Sequence, residues 1–481
     1  MLTNYNRVIS NIVYIISFFT ILIIIINVCD WKLYALLSIV FLILSCLNLK
    51  LGYEIGFISY STIFLVCFWI FHCGQIINYG FELDGKNYLF FINYGTEKAS
   101  GDAFVFYVVS QFLITEAIGY SYNKIERNKS LGAKTIPVYL KYILFSIGFG
   151  PRVYYDLTYL IYTLRNGYSG SDIYFPQFIN TLAFFADVAI MIELITCRNR
   201  KRETIIFAIV ILYKGIMMMS GHRQEAFVFI IVFSYLYFFV NRHRPINVKK
   251  TLYYFLIGYV AVVFIMTVGE LRTSEFKSIS VLVNTLSKNI KGGFLANLFG
   301  EFGSAFTTLV KTVNDTPQMV NYGHGLSYVA GTCSVIPTVA GRIPMLANKT
   351  AYILQYQNVS SLGGSFLGEF YYNFGWFGLI GMPVVGMFLG KVQKRLELFR
   401  INRICDEDIL SIVDDEINDN YIIGDARVNL DLVFSIIMAI SLLLFIRGYF
   451  TDMVQKVVWT MIVVSFLSTV VVKKGVDYEK I

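Results

Sequence analysis

The chain has 481 residues, of which 56% are hydrophobic and 15% are charged, and its mean hydropathy is +0.61. Soluble domains carry about 25% charged residues, so this composition excludes an ordinary water-soluble fold. The formal net charge of +8 comes from short basic clusters between apolar runs and not from a continuous basic stripe, which argues against a nucleic-acid partner.

Apolar runs long enough to cross a hydrocarbon core of about 30 Å recur from one end of the chain to the other. They predict an all-α integral membrane protein with about twelve transmembrane helices. The first run follows Arg7 and is too long for a cleavable signal peptide, so we interpret it as a span. The predicted spans lie near 8–28, 33–49, 58–77, 104–122, 138–164, 178–196, 204–219, 226–240, 252–268, 367–389, 430–446 and 454–472.

Lys and Arg residues accumulate in alternate loops, within 124–134, 198–202, 242–250, 391–403 and 473–474. Under the positive-inside rule these loops face the cytoplasm, which places both termini there. The sequence thus predicts a single polytopic domain over 1–481. It has one long periplasmic or extracellular region at about 269–366 and a cytoplasmic connector at 391–429, whose acidic run reads as a solvated segment.

The long outer region is expected to be partly helical, because apolar residues from Val281 to Leu309 recur at roughly helical spacing. Such a segment lies on the membrane surface, caps the bundle or packs onto the protein's own spans. The seven cysteines form no CxxC pair. We therefore expect no disulfide framework, no zinc site and no redox-active cofactor.

Arg152 lies in the middle of the fifth apolar run, and Asp156 follows one helical turn later. Ionisable groups at membrane depth are costly and therefore mark functional sites. The pair is either an internal salt bridge or a point of substrate contact.

Three further arginines are predicted at the outer rim of the bundle: Arg223 beside His222, Arg272 after the ninth span, and Arg447 after the eleventh. Outer loops are usually poor in Arg. Each arginine alone is explained by snorkelling to lipid headgroups, but three together favour an anionic ligand. Guanidinium groups offer forked donors that match phosphate oxygens, so a lipid-linked pyrophosphate is a suitable ligand.

Two residues are candidate general bases. His324 lies in a Gly-flanked polar loop, where it is either a proton acceptor or incidental. Glu369 enters the tenth span with Asn373 four residues later on the same helical face. This segment is either an interfacial aromatic belt or the place of a buried carboxylate that acts as a base.

The span plan, the Gly-His-Arg-Gln-Glu turn at 221–225, Arg272, the stretch 363–375 and Arg447-Gly448 together resemble bacterial O-antigen and capsule repeat-unit polymerases of the Wzy type. The resemblance implies a metal-independent glycosyltransferase of the bacterial inner membrane. Such an enzyme moves a growing glycan from one undecaprenyl pyrophosphate carrier onto a repeat unit on another, at the outer face. The resemblance also implies membrane lipids, a chain-length regulator and a flippase as further partners.

The resemblance also implies roles for residues of this chain. Arg223, Arg272 and Arg447 would hold the pyrophosphate, and Glu369 or His324 would take the proton of the acceptor hydroxyl. Arg152, His222 and Asn373 are expected as further substrate contacts.

Two other functions fit the same sequence features. An O-antigen ligase shares the spans, the long loop and the rim arginines. A flippase or transporter of lipid-linked oligosaccharide would use charged groups near the midplane, here Arg152, Asp156, Asp187 and Lys214. The lack of a visible internal repeat disfavours the transporter.

Overall fold

The structure is a computed structural model. It describes residues 2–83, 94–124, 135–197 without 138 and 167–176, 199–218, 223–240, 294–347 without 337, 363–413 and 427–478, together with isolated positions at 263, 267, 280, 283–287 and 349. Apart from one short antiparallel strand pair, the elements in these ranges are helices.

The first part of the chain forms α1 (Leu2–Asn27), α2 (Trp31–Tyr53), α3 (Tyr60–Gly80), α4 (Glu97–Lys124), β1 (Thr135–Pro137), α5 (Leu140–Asn166), α6 (Gln177–Thr196), α7 (Arg200–Met217) and α8 (Arg223–Tyr235), which a π-helical turn extends over Leu236–Val240. The second part forms α9 (Phe294–Phe302), α10 (Ser304–Asp315), α11 (Leu326–Cys333), α12 (Val339–Arg342), α13 (Phe366–Phe374), a 3₁₀ segment (Gly375–Gly381), α14 (Met382–Val413), β2 (Arg427–Asn429), α15 (Leu430–Phe445) and α16 (Phe450–Tyr478).

Among the residues that the structure describes, six helical segments are long and apolar enough to cross a membrane: Arg7–Asn27, Trp31–Tyr53, Tyr60–Gly80, Glu97–Asn123, Phe178–Thr196 and Phe366–Ile401. They coincide with predicted spans one to four, six and ten. The shorter apolar helices Gln224–Val240 and Leu430–Phe445 coincide with the eighth and eleventh.

The fifth, seventh and twelfth predicted spans correspond to α5, α7 and α16, and nearly all of the ninth lies outside the described residues. The helical membrane class is therefore confirmed. The number twelve and the cytoplasmic placement of both termini remain predictions.

The chain divides into two compact units, of which the first comprises Met1–Ile125, Ser278–Gln393 and Leu442–Gln455. In it, α9 packs on α3, and α10 packs on α3, α4 and α13. Gln75 donates a hydrogen bond to the Gly300 carbonyl at 2.8 Å, and Asn78 donates to the Ala296 carbonyl at 3.2 Å. The part of the expected outer segment that the structure describes as α9 and α10 thus packs onto the protein's own helices.

Glycines permit a close approach of helices in this first unit. A Cβ at Gly303 would lie 2.4 Å from the Gln75 nitrogen, and one at Gly74 would lie 2.7 Å from the Phe299 oxygen. These distances are far below a van der Waals contact. Only residues without a side chain let α3 and the α9–α10 corner meet this closely.

A second close approach joins α4 to α14. A Cβ at Gly386 would lie 2.5 Å from the Ile114 oxygen, and one at Gly390 would lie 2.5 Å from the Ile118 oxygen. The spacing is the GxxxG pattern of closely packed membrane helices. It places the tenth predicted span in close contact with the fourth.

The second unit comprises Glu126–Lys277, Lys394–Ser441 and Lys456–Ile481. Its α5 and α6 pack along each other and approach closely at Gly148, where a Cβ would lie 2.4 Å from the Ala186 nitrogen. Near one end of this pair Lys141 and Glu193 form a salt bridge of 2.5 Å. Strands β1 and β2 pair antiparallel in this unit, with Ile136 opposite Val428.

Candidate active site

Glu369 and Asn373 lie one turn apart on α13, and both side chains are fully buried. The helix begins where it does because Ser365 caps it: its Oγ accepts a hydrogen bond from the Gly368 nitrogen at 3.3 Å. The four-residue spacing then places the carboxylate and the amide on one face. The structure brings together this predicted pair.

The two oxygens of Glu369 bind different parts of the first unit. Oε1 accepts from the Ser327 hydroxyl at 2.6 Å, and Oε2 accepts from the Phe450 nitrogen at 2.9 Å. Phe450 is the first residue of α16, so the carboxylate satisfies one of the open N–H groups at that helix start. Glu369 therefore ties α13 to both α11 and α16.

Asn373 completes the network with its amide. Its Nδ2 donates to the Ser327 hydroxyl and to the Glu369 carbonyl, both at 2.8 Å, and its Oδ1 accepts from the Gly325 nitrogen at 2.9 Å. A buried polar network with this many satisfied groups is rigid, since leaving a member without a partner is costly. We call Glu369, Asn373 and Ser327 the α13 network.

His324 lies on the turn that this network holds. Its backbone nitrogen donates to the Asn373 carbonyl at 3.0 Å, and the Gly323 nitrogen donates to the Tyr372 carbonyl at 2.9 Å. The residue adopts a φ of 48°, and its side chain is exposed. The end of α13 thus fixes the backbone of the turn while the imidazole stays open to a ligand.

Arg447 lies half-buried on the turn between α15 and α16. A Cβ at Gly364 would lie 2.7 Å from the Gly448 carbonyl carbon, and one at Gly363 would lie 3.4 Å from the Arg447 Nε. Gly364 is thus explained by close backbone packing against this turn, whereas a side chain at position 363 would make an ordinary contact with Arg447. Burial raises the pKa of the neighbouring Tyr449 phenol, so it stays neutral and adds no negative charge beside Arg447.

His72 contributes to the same region and was not identified from the sequence. It is fully buried on α3, with its Nε2 3.1 Å from the Ser365 Oγ and its Nδ1 3.1 Å from the Phe68 oxygen. It supports the residue that caps α13. The available signal was a single histidine inside an apolar run, and nothing in the sequence pairs it with a serine 293 positions away.

The remaining predicted site residues lie elsewhere or outside the described residues. Arg223 is the first residue of α8 in the second unit, and its side chain is outside the described set. His222 and Arg272 also lie outside the described residues. Of the expected rim, the structure brings together the turns of His324 and Arg447 around Glu369 and Asn373.

Arg152 lies in the second unit among carboxylates. Its Nε is 2.8 Å from Asp156, and its Nη1 is 3.3 Å from Asp187 and 3.8 Å from Glu225. The internal salt bridge, one of the two interpretations of the Arg152–Asp156 pair, is present. Substrate contact by Arg152 remains a prediction.

Within the part of the chain that the structure describes, no group of three or more His, Cys, Asp or Glu side chains is arranged to hold a metal ion. What the region offers chemically is an exposed imidazole, a guanidinium on an adjoining turn and a buried network between them. These are the parts needed to move a proton and to stabilise an anion.

Residues 8–403 match the family model described as O-antigen polysaccharide polymerase Wzy. No curated protein matches the chain, and no solved structure matches it. The matched range includes Arg223, Arg272, His324 and Glu369 and ends before Arg447. Because the match covers most of its length, the chain belongs to the Wzy family of O-antigen polysaccharide polymerases.

Proposed function

We propose that this multi-pass membrane polymerase transfers a growing glycan from one undecaprenyl pyrophosphate carrier to the repeat unit on another, without a metal ion. The reaction takes place at the outer face of the bacterial inner membrane. Family membership supports the polymerisation of lipid-linked repeat units and favours neither a ligase nor a flippase. The carrier, the face of the membrane and the roles below are our proposal.

In the proposed reaction, a hydroxyl oxygen of the acceptor sugar attacks the anomeric carbon of the donor glycan. The bond from that carbon to the pyrophosphate oxygen breaks, and the carrier leaves as the pyrophosphate anion. Arg223, Arg272 and Arg447 neutralise the charge that develops on the leaving group. His324 accepts the hydroxyl proton, with His222, Asn373 and Arg152 retained as candidate substrate contacts.

The hydrogen bonds of the α13 network are the one observation that carries this assignment. They hold the His324 turn and the start of α16 in one buried cluster, and α16 starts three residues after Arg447. Of the two candidate bases, His324 is exposed, whereas Glu369 is buried with both carboxylate oxygens engaged. We therefore assign the proton transfer to His324. Glu369 holds the two turns at a fixed separation.

The arginine assignment is tested in a deletion strain that carries Arg223→Ala, Arg272→Ala or Arg447→Ala. We expect long glycan chains to disappear while single repeat units still reach the outer surface, because only the transfer step fails. Arg→Lys variants should also lose most long chains, since an ammonium cannot replace the forked donor. The measurement is a glycan ladder on a gel together with surface labelling of single units.

Arg342→Ala is the matched control, because Arg342 is exposed at the end of α12 in the same predicted outer region. It should leave the ladder unchanged. Accumulation of single units on the cytoplasmic leaflet in the site variants would contradict the polymerase roles and point to a flippase. Normal ladders from all three lysine variants would contradict paired hydrogen bonding to the pyrophosphate.

A further inference from the structure

The second unit contains a network of buried charges. Its members come from five helices and are Arg152, Asp156, Asp187, Lys214, Glu225 and Lys456. Each side chain except that of Glu225 is less than a tenth exposed, and the Glu225 side chain is 21% exposed. We call this set the ionic network.

Asp187 of α6 is its central carboxylate. Its Oδ2 is 3.3 Å from Arg152 of α5, and its Oδ1 is 2.6 Å from Lys214 of α7. The close crossing at Gly148 brings α5 and α6 together one residue from Asp187. Lys214 also lies over the ring of Phe229 at 4.3 Å, which links α7 to α8.

The network contains three cations and three carboxylates, so it carries no net charge among its members. A site for a pyrophosphate needs positive charge in excess, as at an arginine cluster. The arginine and lysines here are instead neutralised by side chains of the protein. The network is therefore better suited to fixing helices than to binding an anionic substrate.

Glu225 connects this network to a predicted substrate residue. It lies in the first turn of α8, two positions after Arg223. Its Oε1 is 2.6 Å from Lys456 of α16, and its Oε2 is 3.8 Å from Arg152 of α5. The first turn of α8 is thereby bonded to two other helices of the same unit.

We propose that Glu225 is a positioning residue: clamped by Lys456 and Arg152, it fixes the start of α8 and so sets where Arg223 presents its guanidinium. This inference rests on the proposed role of Arg223 in holding the pyrophosphate. A displacement of about 1 Å in a group that contacts a transition state costs roughly 100-fold in rate. A charge clamp on the same first turn prevents such a displacement.

The test uses the full-length protein in proteoliposomes with purified lipid-linked repeat units. Glu225→Gln or Lys456→Met alone leaves a buried charge short of a partner and is expected to reduce the folded yield. The double variant Glu225→Gln/Lys456→Met restores equal numbers of cations and carboxylates. We expect it to fold with a near-normal Tm and to lose roughly tenfold or more in kcat/KM, because the clamp on α8 is gone.

Lys141→Met/Glu193→Gln is the matched control. It removes a lysine–glutamate pair of similar exposure in the same unit, at 2.5 Å, that is remote in sequence from the Arg223 turn. Glu193 also pairs at 2.8 Å with Arg202, whose exposed side chain remains solvated in the variant. We expect its kcat/KM per folded molecule to stay within about twofold of the wild type, as for independent sites. Equal kcat/KM for the Glu225/Lys456 double variant and the wild type would overturn the proposal. The network would then only stabilise the packing of the helices.

A second cycle separates this proposal from the role of Arg223. If Glu225 acts through Arg223, the Glu225/Lys456 pair of changes costs less in an Arg223→Lys background than in the wild type. If the fold-losses in kcat/KM from Arg223→Lys and from the Glu225/Lys456 changes simply multiply, Glu225 acts independently of Arg223 and the inference is overturned. A fully active Arg223→Lys variant would instead contradict the proposed pyrophosphate binding, whatever the double variant does.

Discussion

His324 combines an exposed imidazole with a backbone conformation that few residue types tolerate. Its φ of 48° lies in the left-handed region, which asparagine adopts readily and β-branched residues do not. The turn itself is held by backbone hydrogen bonds to the end of α13. The shape of the turn and the chemistry of its side chain are thus separable by substitution.

His324→Asn should keep the turn and lose the proton acceptor. We expect the maximal rate of polymerisation to fall at least about 100-fold with an unchanged Tm, because loss of a general base costs about 10² to 10⁴ in rate. The measurement is the initial rate of polymerisation by each purified variant, with the Tm taken on the same preparation.

His324→Val is the informative contrast, because valine is strained at a positive φ and should lower the Tm as well as the rate. A His324→Asn enzyme with a wild-type rate would contradict the assignment of His324 as the base. Glu369 would then become the stronger candidate.

Glu369 and Asn373 are predictable together from the sequence, because the two residues are four positions apart on one helix. Ser327 and His72 are not predictable as parts of the site. Ser327 bonds Glu369 across 42 residues, and His72 contacts Ser365 across 293. Such partners follow from how helices pack, which the spacing of residue types along one helix does not encode.

At the scale of elements, glycines determine how closely helices approach. The Gly386–Gly390 pair lets α14 rest on the backbone of α4, and Ser121 of α4 donates to the Met387 carbonyl at 2.9 Å. Close contact and a side-chain hydrogen bond both stabilise membrane helix pairs. The pair is visible in the sequence, but its partner helix is not.

Gly390→Ala should force α4 and α14 apart, because the added Cβ would lie 2.5 Å from the Ile118 oxygen. We expect a loss of about 1–3 kcal/mol in stability, as for other overpacked sites. The measurement is the Tm of the detergent-solubilised protein, followed by size-exclusion chromatography.

Gly101→Ala on α4 is the matched control, since a Cβ there meets nothing within 4 Å. It should be neutral or raise the Tm slightly, because alanine favours a helix by about 1 kcal/mol over glycine. Equal Tm values for the two variants would argue against the close α4–α14 crossing.

The helical periodicity of the outer segment predicted helices, and α9 and α10 bear this out over 294–315. The corner at Gly303 and the 3₁₀ segment after α13 were not predicted. Gly375 adopts a φ of 57° there, and a Cβ would lie 2.9 Å from the Tyr322 hydroxyl. Both breaks depend on the residues that pack against them. The hydrophobic pattern of the sequence continues through each break and therefore does not predict it.

At the scale of the whole molecule, exposed apolar side chains identify the surfaces that face lipid. Residues of α1 and α7 illustrate this: Ile23 is 60% exposed, Ile26 65% and Leu212 66%. Composition alone predicted this surface, since a chain with so few charges cannot cover itself with polar groups. The direction in which the spans cross depends on the charge pattern of the loops instead.

The predicted orientation is tested by cysteine labelling in a variant whose seven native cysteines are replaced by serine. Met319→Cys reports on the outer region, where Met319 is 76% exposed. Gly56→Cys reports on the turn between α2 and α3, predicted to be cytoplasmic. A membrane-impermeant maleimide should label position 319 in intact spheroplasts and position 56 only after permeabilisation.

The serine variant must first restore the glycan ladder in the deletion strain, which shows that it is inserted normally. The reverse labelling pattern would invert the topology and place the His324 turn in the cytoplasm. The proposed outer-face reaction would then fail with it.

The α13 network has a consequence for how the site responds to mutation. The end of α13 accepts hydrogen bonds from the backbone nitrogens of His324 and Gly325, and Glu369 accepts one from the backbone nitrogen of Phe450 in α16. Any residue that tolerates the left-handed conformation at 324 and has a backbone N–H can replace His324 without losing these bonds. The proposed proton acceptor can therefore be lost by mutation while the geometry of the turn is kept.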